Sequence, residues 1–525
     1  MKKIISHMAA LAAVACLWGC AKLEEKLLYV QPIGKNTTAA FLSTMDGIQM
    51  ASEGMHRQVL EFYHDSFIKY AEVPADLLNV NSLYLDEGDR LLYNYQLESD
   101  HVSTYPRNVW VGGWDIVTAA NNLINYADKA KATYTTAANQ ALLDKIVAQA
   151  YFCRALAHFD LCRAYGQPYS YKPDHSQLGV PVVTRALTLS DHPYRETVGK
   201  VYEQVVSDLN SALERFEASA QANPSAASSN VQKDAISDPY HVSYIACEAL
   251  LARVCLYMED WQQAAKHAKS VMDKVSLSPR SEYVDMFRSS QENKGRESIF
   301  RLNCYGVTFA LAKDFDPTGT NGFFPDASLQ EYYEADDIRR ELLTYTAAAG
   351  DPEAYQGKSW PAVCKYLYYK SISETERRVC DLFVLRVSEM YLIHAEALAH
   401  GEGSLSDAAD DIAALQARAR GIEKDAVKLD YGSAEDLLGI IAKERVRELC
   451  FEGHRFFDLG RRGESVIRSS TSNAEHTDEF SALRLDYPNY RFVLPIDRME
   501  LQSNLEMKPN PGYVSYDGTY IDGEE

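Results

Sequence analysis

The chain has 525 residues with 53 Lys and Arg against 74 Asp and Glu, a formal net charge of −21, and is 46% hydrophobic. Length alone allows about three domains or one large unit with an ample core, which excludes disorder over most of the chain. The acidic balance and the lack of any useful Lys/Arg run exclude a nucleic-acid partner, because tracking phosphates needs a concentrated basic surface.

The chain opens with Lys2 and Lys3, an apolar stretch from Met8 to Trp18 too short to cross a bilayer, and then Leu17-Trp18-Gly19-Cys20. This resembles a bacterial lipoprotein signal. The resemblance implies cleavage after residue 19, a diacylglyceryl thioether on Cys20, and an acylated N-terminus that anchors the mature protein. Glu24 and Glu25 resemble a surface-export signal. Residues 20–40 then read as a linker.

Residues 72–113 lack helical periodicity and are rich in Tyr, Asn and Asp. Within them Asp86-Glu-Gly-Asp89 is too short to supply a calcium site and reads as a solvated turn. From Leu142 to Tyr165 the stripe Ile146, Ala150, Cys153, Ala157 and Leu161 predicts a long amphipathic helix stopped by Gly166. Thr197 to Phe216 repeats the pattern, and 221–240 reads as a polar connecting loop. Tyr244–Tyr257 and the run from Trp261, joined by a short acidic turn, predict antiparallel helices crossing at Ala246, Ala252, Ala264 and Ala268, a packing that resembles tetratricopeptide pairs. Residues 300–370 are again irregular and aromatic; long irregular segments in a globular unit are usually functional. Beyond Cys16 and Cys20, eight scattered cysteines show no CxxC and no zinc-ligand spacing, so they read as buried thiols ahead of disulfides or ligands.

The last third carries the most specific text. LFVLRVSEMYLIHAEALA buries a stripe of Val384, Val387, Tyr391, Ala395 and Leu398, with Arg386, Glu389 and Glu396 on an adjacent face. A second charged helix, IIAKERVRELCFEGHRFFDLGRRG, spans 440–463, and the chain closes with RFVLPIDRMELQSN and KPNPGY. Together with Trp114–Asn122, Tyr151–Leu161 and Leu178-Gly-Val-Pro-Val-Val, these segments resemble the SusD/RagB family of outer-membrane nutrient-binding lipoproteins across nearly the whole mature chain. The resemblance implies an all-α, tetratricopeptide-like scaffold with long loop insertions, divided into an N-terminal region 41–289 and a C-terminal region 290–525 that form one unit. It also implies capture of an oligomeric nutrient, a glycan first and a peptide second, for a SusC-like TonB-dependent barrel, with no catalysis and no cofactor.

Glu444, Glu448 and Glu452 recur at steps of four, about 6 Å apart along a helix face, a spacing a retaining glycosidase could use. Arg445, Arg447, Arg455, Arg461 and Arg462 would neutralise these acids, and each acid has an arginine within about a turn to hold it ionised, against the raised pKa that glycoside hydrolysis needs. The segment therefore reads as a structural network. No nucleophile elbow, HExxH, P-loop or EF-hand text occurs. Recognition chemistry is richer: Tyr outnumbers Phe 34 to 18, and tyrosine joins a flat apolar face to a hydrogen-bonding hydroxyl. The nominated ligand-binding residues are Asp76, Asn79, Asn81, Tyr84 and Trp110 from the first irregular segment, and Tyr305, Phe323 and Trp360 from the second.

Overall fold

The computed structural model describes residues 37–81, 84–100, 105–223, 231–233, 235–288, 296–304, 310–316, 322–347, 357–367, 380–469 and 481–513. Short polar side chains start most of its helices by accepting a backbone N–H of the first turn. Thr44 opens α1 (Met45–Phe62) and Asp86 opens α2 (Glu87–Tyr93). After α3 (Tyr105–Ala130), Thr136 opens α4 (Ala137–Tyr165) and Thr197 opens α5 (Val198–Ala222). Ser243 caps α6 (Tyr244–Tyr257) and Asp260 caps α7 (Trp261–Met272), which α8 (Arg280–Arg288) follows. In the last third come α9 (Val387–Ala397), α10 (Leu405–Arg420), α11 (Ala434–Leu449), α12 (Arg455–Arg461) and α13 (Arg498–Ser503).

The helices pack as successive pairs, α1 on α3, α3 on α4, α4 on α5, α6 on α7 and α7 on α9, with α9 then meeting α10 and α11. The α6–α7 turn places Glu259 at φ 58°, and Ala246, Ala252, Ala264 and Ala268 are fully buried at the crossing, as their small size predicts. The protein is thus mostly helical and tetratricopeptide-like. Strands are short and serve as ties: β1 (Leu78–Val80) pairs with β3 (Phe323–Pro325), β2 (Ser298–Leu302) with β6 (Leu382–Arg386), and β4 (Thr344–Thr346) with β5 (Ser359–Pro361), all antiparallel. All eight described cysteines are buried thiols.

Several expectations need correction. The first irregular segment is not irregular throughout: Asp86-Glu-Gly-Asp89 is no solvated turn but a capped helix start, with Asp89 buried against Lys69 at 2.9 Å, and α3 begins at Tyr105. Helix α4 starts at Ala137 rather than Leu142, and beyond Ile146 it is buried on almost every side instead of along one stripe, because α3 and α5 cover it from two directions. Residues 382–386 are strand, and the charged run 440–463 is two helices, since Phe451 and Gly453 adopt φ of 69° and 85° and break it. Glu452 therefore lies past the helix, off the face shared by Glu444 and Glu448. Of the polar loop, 224–230 and 234 lie outside the described residues, and 221–222 extend α5.

Polar ties hold this scaffold at named positions. Arg154 of α4 grips Asp208 of α5 with two bonds of 2.8 and 2.6 Å and donates to Asn121 of α3 at 2.7 Å, while Asn121 donates to the Val183 and Arg185 carbonyls. One turn on, His158 Nδ1 donates to the Arg154 carbonyl (2.9 Å) and its Nε2 accepts the Val183 N–H (3.2 Å), which requires the neutral ring. Burial pushes His158 down to about 4, although Asp208 pulls the other way. Between pH 6.5 and 4 the unfolded chain binds the proton and the folded chain refuses it, so stability should fall as pH falls through that window, by roughly 3 kcal/mol for this group in full. Urea unfolding at pH 5 and 7 should show a smaller pH difference for His158→Gln than for the parent; an unchanged difference would remove His158 from the account.

Candidate functional site

The charged text of the last third folds into a buried ionic network. Arg386, at the end of β6, donates to Glu448 (2.6 Å), Glu452 (2.8 Å) and Glu297 (3.1 Å). Arg339 reaches Glu444 at 2.6 Å and Glu448 at 2.8 Å, Arg418 reaches Glu448 at 2.8 Å, and Lys365 pairs with Glu452 at 2.6 Å. Burial alone would raise the Glu448 carboxyl, but Arg418, Arg386 and Arg339 together hold it well below the usual range. A second cluster joins Arg461 to Glu396 and Asp458, Arg445 to Asp458, and Arg253 to Glu389. A carboxyl held in this way, as Glu448 is, accepts hydrogen bonds and is a poor proton donor to a leaving group. Nearby Glu72 is pushed up to about 7 by burial, yet it is enclosed and accepts the backbone N–H groups of Phe451, Gly453 and His454, so it serves as a clamp on the turn between α11 and α12.

A better candidate for recognition is a surface groove of about 440 Å³ between α1 and the first turns of α3. Gln58, Glu61, Phe62, His64 and Ser66 line one wall; Arg107, Asn108, Val111, Gly112 and Asp115 line the other. The chain widens into a π-turn at Tyr63–Phe67, a feature frequent at functional sites, and this re-aims the residues after α1. The turn is pinned from below: Tyr63 donates to Asp160 at 2.6 Å, and Phe67 stacks on Phe62 and Phe457. Gly113 makes the close approach possible on the far side, since a Cβ there would meet Leu161 at 2.6 Å. Burial raises the Asp115 carboxyl, and the neighbouring charge of Glu61 adds to the rise. A second cavity near Tyr202, Tyr257 and Phe456, about 20 Å³, holds no more than one water.

The nominated residues are distributed differently from expectation. The β1–β3 ladder does join the two irregular segments, but it does so by burying them: Phe323 is fully enclosed and Asn79, opposite Phe324, is 5% exposed. Asp76 is held by both ends of the Arg455 guanidinium at 2.7 Å, and Trp110 packs at 4.9 Å from Tyr165 with its N–H directed to Glu500. Burial and pairing withdraw these four from the candidate surface. Asn81 is half-buried and its N–H donates to the Gly322 carbonyl; Trp360 is half-buried on β5, against the cluster of Tyr283 and Phe287; Tyr84 is 47% exposed. Tyr305 and Cys20 lie outside the described residues.

Comparison with known proteins gives the same direction twice. Residues 345–513 match the family model described as "SusD family", and residues 53–256 match the one described as "Starch-binding associating with outer membrane". The chain belongs to the SusD/RagB family. It is 25% identical to "SusD-like protein P2" of Formosa agariphila, over 95% of this chain and 97% of that protein. Its fold is that of a SusD superfamily protein from Bacteroides thetaiotaomicron (TM-score 0.74, 23% identity, 89% of this chain and 100% of that one). A putative sugar binding protein from Bacteroides vulgatus is similar as well (TM-score 0.71, 22% identity, 90% and 99%).

The SusD/RagB signatures can now be read physically. The Glu444–Gly463 text builds the two ionic clusters, and the Trp114–Asn122 text supplies the Asn121 tie to α4. The groove residues Gln58, Glu61, His64, Asn108 and Asp115 were not legible as a site. The groove is made by a π-turn that no local pattern announces, and its opposite wall, Asp115 apart, lies in a stretch read as irregular.

Proposed function

We propose that this SusD/RagB protein is a surface lipoprotein that binds an oligosaccharide in the groove between α1 and α3 and hands it to a TonB-dependent outer-membrane barrel. The observation that carries the reading is the groove's chemistry: amide, carboxylate, hydroxyl and guanidinium groups line it together with the apolar side chains of Phe62 and Val111. Sugars offer hydroxyl groups to such donors and acceptors and a C–H face to apolar side chains. The starch-binding, outer-membrane description of the matching family model and the sugar-binding name of the Bacteroides vulgatus relative support a glycan and that membrane. Anchoring rests on Cys20, and transfer across the bilayer then falls to a barrel, because helices and closed barrels are what can span lipid.

Titration calorimetry with neutral oligosaccharides and with peptides of matched length tests the reading. Asn108→Ala and Asp115→Asn should each weaken glycan binding about tenfold, the loss of one or two net hydrogen bonds. Peptide binding that responds to these variants, with no glycan binding, would move the assignment to the peptide alternative. The groove also holds two carboxylates outside the arginine network, Glu61 and Asp115, so the same glycans are to be checked for cleavage products. Products lost in Asp115→Asn would favour a surface glycoside hydrolase.

A further inference from the structure

The antiparallel ladder of β2 and β6 sets Arg301 opposite Phe383 and Leu302 opposite Leu382. Carried two residues further, the same register sets Cys304 opposite Cys380. Contacts place Cys304 beside this stretch: its N–H donates to Asp381 at 3.2 Å, the Leu382 N–H donates to its sulfur, and its thiol interacts electrostatically with Cys380. Both cysteines are fully buried. Residues directly opposite on antiparallel strands have Cα atoms about 4.5–5.5 Å apart, inside the roughly 4.4–6.8 Å span that a disulfide requires.

We propose that Cys304 and Cys380 are a cross-strand cystine pair, held as thiols in this structure and oxidised to a disulfide when the chain folds under oxidising conditions. The bond would tie the end of β2 to the start of β6, two residues beyond the Leu302–Leu382 pair. The step needs an oxidant of the disulfide class. The thiolate of one cysteine attacks a sulfur of R–S–S–R and expels one RS⁻; the second cysteine, as its thiolate, then displaces the other. Two protons are shed, the chain loses two electrons, and two RSH molecules carry both away. Burial pushes the Cys304 thiol well above its ordinary value, so little thiolate exists once the strands have closed. Oxidation therefore belongs to the folding chain, and the finished bond is shielded from reductant. That the cell supplies such conditions rests on the export reading of residues 1–20.

The test is alkylation of the chain under denaturing, non-reducing conditions after refolding in oxidised and reduced glutathione, followed by digestion and mass spectrometry. The expected result is a linked peptide pair containing Cys304 and Cys380, two hydrogens lighter than the sum of its parts and released by reductant. The other cysteines, Cys153 and Cys247 among them, should be alkylated. In Cys304→Ser, Cys380 should be alkylated. Quantitative alkylation of both residues in the refolded parent overturns the pairing. The same map on protein from the cell envelope separates the two readings: thiols there beside a disulfide in the refolded chain count against export, while a disulfide in both supports the pair and its compartment.

Discussion

Glu448→Ala is expected to yield little or no folded protein. Glu448 is fully buried and receives Arg339, Arg386 and Arg418 as well as the Tyr283 hydroxyl. Removing its carboxylate takes the shared acceptor from three buried guanidinium groups, with Glu297, Asp337, Glu444 and Glu452 left to balance them. Breaking a buried pair by deleting one partner costs about 3–5 kcal/mol, a large share of the stability of most folded domains. Arg447→Ala should be much milder, about 1 kcal/mol. Arg447 sits at the edge of the network with its side chain 20% exposed, and its ion-pair partner Glu444 keeps Arg339. Thermal melts of the two variants side by side measure the contrast, and equal losses would mean that burial does not rank these pairs.

The contrast between the two residues also shows what periodicity could and could not reveal. Steps of four among Glu444, Glu448 and Glu452 announced a charged face, and arginines at comparable spacing announced its neutralisation. Partner identity was hidden, because it depends on residues far away in sequence: Arg339 and Lys365 come from the second irregular segment, and Arg455 turns from the network to Asp76. The helix break at Phe451–Gly453 was hidden as well, since Glu72, nearly four hundred residues earlier, supplies the acceptor that holds it. The α6–α7 pair was legible because its signal is local: two apolar helical runs, a short acidic turn between them and small residues at the crossing.

The aromatic residues show the opposite limit. Tyr and Phe content suggests rings with polar neighbours, but composition cannot separate a ring in a core from one on a surface. Tyr93 and Tyr95 lie under the Arg468 guanidinium at 3.7 and 4.8 Å, Phe323 faces Lys69, and Trp110 packs on Tyr165. Each is a cation–π or edge-to-face contact inside the scaffold. The groove draws its chemistry from Gln, Asn, Asp and Glu, residue types common on any helix surface, so only the folded arrangement singles them out.

Arg195→Ala is expected to cost about as much as the loss of Glu448, through a different mechanism. Arg195 is buried and forms no ion pair among the described residues; it donates to the carbonyls of Gly179 (2.6 Å), Tyr165 (2.8 Å), Leu178 (3.2 Å) and Lys508 (3.0 Å) and to the Asn510 side chain (2.8 Å). Burial pulls its guanidinium down to about 9. Asn510 in turn donates to the Tyr165 and Leu494 carbonyls, Gly512 turns the chain at φ 87°, and the Tyr513 hydroxyl reaches Val493. The closing Asn-Pro-Gly-Tyr text thus fastens the C-terminal segment to the end of α4 and to the Leu178–Gly179 turn. Truncating Arg195 strands up to four acceptors, since the Tyr165 carbonyl keeps Asn510, at about 1–3 kcal/mol for each that water cannot reach, and Lys cannot restore the fork. Asn510→Ala should cost less, and the double variant should be less destabilised than the sum of the two by about 0.5–3 kcal/mol, because both act on one network. Additive melting shifts in Arg195→Ala, Asn510→Ala and the double variant would show that the two residues hold the chain end independently.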